Sequence, residues 1–195
     1  MEIVRDIIVS ASAIATVLIA FWGLRVWKSQ LKGTNEYKLS EQILEKTYNL
    51  EDKLRSARGA WVSSGELAQR EQEKKIREDE TDRERMIRNE AYALWKRLEP
   101  VFKAVSELKV VKFKAMALWK RESVQDIDNL IKKAFELSNA QSIYFLMKFD
   151  PSTQDHKTMD RHLRIVYEMG KEDEYWKGVE GIVSKIEDKF QPYLE

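Results

Sequence analysis

Residues 87–108 read IRNEAYALWKRLEPVFKAVSEL, and within them Ile87, Ala91, Leu94, Leu98, Val101, Val105 and Leu108 recur at intervals of four, three, four, three, four and three. That spacing puts every one of them on a single stripe of a 3.6-residue helix, whereas a strand would need apolar residues at every second position. Trp95 and Phe102 broaden the stripe. Pro100 has no amide hydrogen and its ring crowds the preceding turn, so it predicts a kink, or a division of the helix at Glu99. A long, kinked helix running to about Lys120 is expected.

The same period continues on both sides. Towards the C-terminus, Ser123 is placed to cap a helix carrying Ile127, Leu130, Ile131, Ala134, Leu137 and Phe145, which should stop before Asp150-Pro151-Ser152-Thr153. Leu163, Val166 and Tyr167 suggest a short helix ended by Gly170. Trp176, Val179, Val183, Ile186 and Phe190 mark a last one, closed by Pro192. Towards the N-terminus, Thr34 is a plausible cap for a helix whose seam is Ile43, Thr47, Leu50, Leu54, Ala57 and Trp61, with a loop at Ser63-Ser64-Gly65. Residues 66–90 hold sixteen charged side chains of both signs, which reads either as a solvated helix laced with i,i+4 pairs or as a linker. Only seven glycines and three prolines punctuate 195 residues, too few for a turn-rich β fold. The fold class expected is all-α, a helical bundle with long amphipathic helices.

One segment stands apart. From Ile7 to Leu24 runs IIVSASAIATVLIAFWGL, eighteen residues without a formal charge. As a helix it would rise ~27 Å, close to the thickness of a bilayer's hydrocarbon core. Trp22 and Trp27 stand where an interfacial aromatic belt belongs, and Arg25, Lys28 and Lys32 follow. A cleaved signal peptide would have a basic start and a small-residue site after the apolar run; here Ala11-Ser12-Ala13 lies inside it. The reading is a single transmembrane helix over about residues 3–27, in an anchor segment 1–32, followed by a helical domain over 33–195. The basic flank places that domain in the cytoplasm and the N-terminus outside. Membrane lipid is thereby the first expected partner.

Ser12, Thr16, Ala20 and Gly23 recur at intervals of four, four and three along the span, a stripe of small or weakly polar residues opposite bulkier ones. Such stripes let helices approach closely, and hydroxyls bond across the contact, so the stripe reads as a helix-packing surface or the wall of a lumen; it also reads as ordinary membrane-helix composition. Arg5 and Asp6 would be costly in lipid and tolerable at an aqueous pore mouth.

Chemistry is sparse. The chain has no cysteine, which removes thiol nucleophiles and cysteine-based metal sites, and only two histidines, His156 and His162. No glycine-rich phosphate loop, HExxH or GxSxG occurs. Asp155, His156, Asp160, Arg161 and His162 gather acid–base residue types, with His156 and Asp160 at i,i+4; the plainer reading is a capped, solvated helix start. No arginine stands four to six residues ahead of either histidine, so the R-x(4–6)-H signature of HEPN ribonucleases is missing. Lys103, Lys109, Lys112, Lys114, Lys120 and Arg121 surround Phe113 and Trp119, opposed only by Glu107. That run suits RNA or anionic headgroups, or simply the polar face of a packed helix. No cofactor, no metal and no enzymatic activity are expected, and nucleic acid is not an expected partner.

Trp27-Lys28-Ser29-Gln30-Leu31-Lys32-Gly33, with Glu36-Tyr37 and then Tyr48-Asn49-Leu50-Glu51-Asp52, resembles a group of bacterial single-pass membrane proteins with a W-x-x-Q-L-x-G junction, a Y-x-L-x-D helix and a helical cytosolic remainder. The resemblance covers roughly residues 20–60 and implies fold, topology and a location in the bacterial inner membrane, with no active site. In size and layout the chain is also similar to the membrane-anchored accessory proteins of RNA-targeting type VI-B CRISPR systems. That likeness implies a homo-oligomer forming a membrane pore in prokaryotic antiviral defence, with a protein partner in the same system. The alternative is a membrane-tethered scaffold or adaptor that binds another protein without conducting.

Overall fold

The computed structural model describes the backbone of every residue except Met1, Ala60, Lys75, Pro151, Thr153, Gln154, Glu168 and Met169; the side chains of residues 2, 4–15 and 171 also lie outside the description. The described residues form an all-α protein with no strand among them. In chain order the helices are α1 (Glu2–Ala57), α2 (Ser64–Glu73), α3 (Asp82–Leu118), α4 (Gln125–Phe149), α5 (His156–Val166) and α6 (Glu174–Phe190), with short 3-10 turns at Arg121–Val124, Gly170–Glu172 and Gln191–Tyr193.

The second half of α1 packs with α3, α4 and α6 into a four-helix bundle in which α1 touches α3, α3 touches α4, α4 touches α6 and α6 touches α1. Neighbours in that cycle run antiparallel. Lys46 of α1 reaches Glu107 of α3 (3.2 Å), while beyond the end of α1 the Gly59 carbonyl meets Arg97 (2.7 Å). The apolar stripe read from residues 87–108 is the reason for the arrangement: Leu98, Val101, Val105 and Leu108 are buried in one cluster with Ile43, Leu50 and Leu54 of α1 and Ile127, Leu130 and Leu137 of α4. Each such side chain contributes roughly 1.5–3 kcal/mol by leaving water. A second cluster, Leu94, Ala140, Tyr144 and Val166, lies where α5 crosses the far end of α3 and α4. α2 rests on α3, and α5 on α4.

Several local expectations are corrected. Thr34 does not start a helix: α1 runs through it unbroken, and its hydroxyl donates back to the Gln30 carbonyl (2.9 Å), which lets a threonine sit in mid-helix. At Pro100 the expected long helix holds, since α3 runs through it undivided. Leu98 and Val101 on either side are buried in one core, and that packing outweighs the ~3 kcal/mol a proline costs a helix interior. Ser123 caps no α-helix; its hydroxyl donates to the Lys120 carbonyl (2.6 Å) in the 3-10 turn, and α4 begins at Gln125 without a side-chain cap. Residues 66–90 are neither one helix nor a linker. A capping box at Ser63 and Glu66 starts α2, and a second at Thr81 and Glu84 starts α3 after a turn. Trp61, placed at the end of the α1 seam, is 86% exposed.

Among the described residues no helix is long and apolar enough to cross a membrane. Half of the expected span, residues 7–15, carries side chains outside the description. From Thr16 to Asn35 every side chain is exposed, and Leu39 is the first buried residue of α1 among those described.

Candidate functional site

The front half of α1 is the most unusual part of the molecule. Val17, Leu18, Ile19 and Phe21 are 64–69% exposed, and Trp22, Leu24 and Trp27 are nearly as bare. These positions fall at successive 100° steps, so they cover every side of the helix. An amphipathic helix turns its apolar stripe to a core; one that is apolar all round and unpacked needs an apolar environment from elsewhere. Thr16, Ala20 and Gly23 of the predicted stripe lie on this exposed stretch, and a Cβ added at Gly23 would meet nothing within 4 Å. Ser12, Arg5 and Asp6 fall outside the described side chains. Arg25, Lys28 and Lys32 are exposed at the end nearer the bundle, where Lys32 approaches Glu36 (3.7 Å).

The histidine cluster is built as a helix start. Asp155 caps α5, accepting the amides of Lys157 and Thr158 (3.3 Å each) and the Thr158 hydroxyl (2.5 Å). These bonds hold its carboxyl below the ordinary aspartate value, the Thr158 hydroxyl contributing most. His156 is exposed on the first turn. His162 lies six residues on, in a groove of about 400 Å³ with Lys132, Phe135, Asn139 and Arg161. Burial, then Arg161, push the His162 imidazole below its usual value, and its Nδ1 has no hydrogen-bond partner among the described residues. The histidines therefore do not share a site.

A polar cleft of about 760 Å³ separates α4, α5 and the start of α6, lined by Lys133, Glu136, Asp160, Arg161, Arg164 and Tyr175 among others. Five cationic and five carboxylate side chains line it, so its charges balance. No group of three or more metal-ligating side chains occurs among the described residues. The basic run is dispersed as well: Lys112 is paired with Asp128 (2.7 Å), and Trp119 packs on Phe190 and Tyr193 (centroids 5.5 and 5.2 Å). Lys103, Lys114, Lys120 and Arg121 are exposed, as is Phe113.

Sequence reasoning missed three arginine junctions. Arg58, one residue past α1, is 1% exposed; it donates to the carbonyls of Arg164, Ile165 and Tyr167 and pairs with Asp173 (2.8 Å), while its guanidinium lies 4.5 Å from the Tyr175 ring centre. Asp173 is also the N-cap of α6, accepting the Trp176 amide. Arg97 clamps the α1–α2 loop through the Gly59 and Trp61 carbonyls and Glu66. Arg70 binds the buried Glu80 (2.7 Å) and Asn89 (3.0 Å), tying α2 to the start of α3. Each joins residues distant in sequence, so no local spacing announced it.

Comparison with protein-family models, with curated proteins and with solved structures finds no match.

Proposed function

We propose that the chain is a single-pass membrane protein that self-associates, its front α1 segment forming the anchor and its bundle standing in the cytoplasm. The observation that carries this reading is the exposed, all-round apolar stretch of α1 that continues, in sequence, the uncharged run from Ile7. A helix bare over Val17–Trp27 has no core to face within its own chain. Lipid, and neighbouring copies within it, would satisfy that surface. Trp22 and Trp27 then lie at the interface, Arg25, Lys28 and Lys32 among the headgroups, and the basic flank orients the bundle inward.

In the same reading the anchors cluster through Ser12, Thr16, Ala20 and Gly23, small side chains permitting close approach. The assembly forms a pore with Arg5 and Asp6 at its mouth, acting in prokaryotic antiviral defence as the resemblance to membrane-anchored CRISPR accessory proteins implies. Exposed Trp61, on a loop that Arg97 holds by two carbonyls, favours a second reading: a tethered scaffold that grips another protein there.

Two measurements on the detergent-solubilised chain separate these readings. A particle several times the mass of one chain, with release of dye from liposomes into which it is reconstituted, supports the pore. The same particle without dye release supports the scaffold, and a monomer contradicts self-association.

A further inference from the structure

The bundle has two opposite long faces of opposite charge. On one, α3 and α4 lie side by side and expose Val110 (56%), Phe113 (61%), Phe135 (43%) and Leu146 (65%), an apolar strip with Ser106 between. Lys103, Lys109 and Lys132 border it, with Glu99 and Glu136 among them, while Arg88 is paired with Glu80 (3.1 Å); Lys109 lies 5.2 Å from the Phe135 ring centre. On the other, α1 and α6 expose Glu41, Glu45, Asp52, Glu180 and Asp188, with Glu187 half-buried between them; Lys46 pairs with Glu45 (3.0 Å), Lys53 with Asp52 (2.9 Å) and Arg55 with Glu180 (3.7 Å). Acid crowds this face: burial raises the Glu51 carboxyl, Arg55 opposes the rise, and Glu187 and Glu180 add to it.

The two faces also match in height. The cross-helix pairs Lys46–Glu107, Lys112–Asp128 and Arg55–Glu180 set the register of the bundle. At 1.5 Å per residue from Leu39, Lys109 and Lys132 stand at roughly 8 and 9 Å, beside Glu45 at about 9 Å and Glu187 at about 14 Å. Lys103, at roughly 17 Å, stands near Asp52 at about 20 Å. Copies sharing one membrane through α1 are held level, so groups at equal height meet.

We infer that the α3–α4 face of one copy docks against the α1–α6 face of the next. The occupant is a second copy because both halves of the contact are on this chain, at matching heights and with opposite charge. Two α3–α4 faces meeting each other would set Lys103, Lys109 and Lys132 against their own kind. A head-to-tail contact repeats around an axis and closes a ring when the rotation allows. A face two helices wide (~20 Å) and ~25 Å long offers roughly 500 Å², short of the ~800 Å² per partner in a standard interface. The contact therefore rests on the membrane-anchored reading, in which the anchors supply the remainder.

The absence of cysteine makes the test clean. Ser106→Cys and Ser184→Cys, both at exposed positions, are introduced into the full-length chain in detergent and treated with a short bis-maleimide. The doubly substituted chain should give a ladder of covalent multimers, each singly substituted chain only monomers, and a mixture of the two a dimer. Dimers from Ser106→Cys alone would mean a symmetric contact and overturn the inference. So would an intact oligomer without cross-links in the doubly substituted chain, which leaves self-association standing. A monomeric particle would remove self-association and this contact together. Independently, Lys109→Glu with Lys132→Glu should lower the oligomer fraction about tenfold, and adding Glu45→Lys with Glu187→Lys should restore it. Lack of restoration in a folded oligomer-competent chain also overturns the contact.

Discussion

At the scale of single residues, a few buried ion pairs are the contacts least tolerant of losing one partner. Arg58 joins the end of α1 to the α5–α6 junction by hydrogen bonds to three carbonyls and a pair with Asp173, both charges being almost fully enclosed. Arg58→Met keeps some packing but strands the Asp173 carboxylate, so it should cost about 3–5 kcal/mol in denaturant unfolding of the detergent-solubilised chain. Arg58→Lys should recover little, since one ammonium cannot reproduce the planar fork that reaches all four acceptors. Glu66 gives a pH prediction. Hydrogen bonds from Arg97, opposed by burial and aided by Ser63, hold its carboxyl at about 2 against an ordinary 4.5. A folded-state value below the unfolded one means the stabilisation is full above about 4.5 and fades as pH falls towards about 2. The difference in unfolding midpoint between the native chain and Glu66→Gln should therefore shrink steadily over that window. A constant difference would contradict the Arg97 clamp.

At the scale of elements, α1 joins two environments in one rod. Gly33 lies within it at an ordinary helical position, and a Cβ there would meet nothing within 4 Å. Gly33→Ala should stabilise the helix by up to ~1 kcal/mol and slow proteolysis near residue 33 without disturbing the bundle. Faster cleavage would indicate that α1 bends there. The elements were largely legible because their stripes are regular: Leu94 to Leu108, Ile127 to Leu137 and Val179 to Phe190 supplied the core that their spacing promised. Boundaries were less so. Pro100 and Thr34 carry local signals for a break, but the core under Leu98 and Val101 and the back-bond to Gln30 outweigh them. The capping boxes at Ser63 and Thr81 were present in sequence as S-x-x-E and T-x-x-E, yet the density of charge around them obscured where α2 and α3 begin. The Arg58–Asp173 pair was invisible for a different reason, since its partners lie more than a hundred residues apart and only the fold brings them together.

At the scale of the whole molecule, a bundle with its own apolar core carries a helix whose apolar residues from Val17 to Trp27 are exposed. The front of α1, residues 2–34, reaches ~50 Å beyond the bundle, longer than a bilayer's hydrocarbon is thick and enough to carry Trp27 to an interface with the bundle held clear of it. If the small-residue stripe is where anchors meet, Thr16→Leu should reduce the oligomer in detergent severalfold; an unchanged oligomer would place that stripe against lipid. The membrane anchor itself is the claim on which the rest depends, and alkaline carbonate extraction of membranes from cells producing the full-length chain tests it most directly. The account predicts that the protein stays in the membrane pellet after extraction and is released only by detergent. Recovery of the chain in the carbonate supernatant would contradict it.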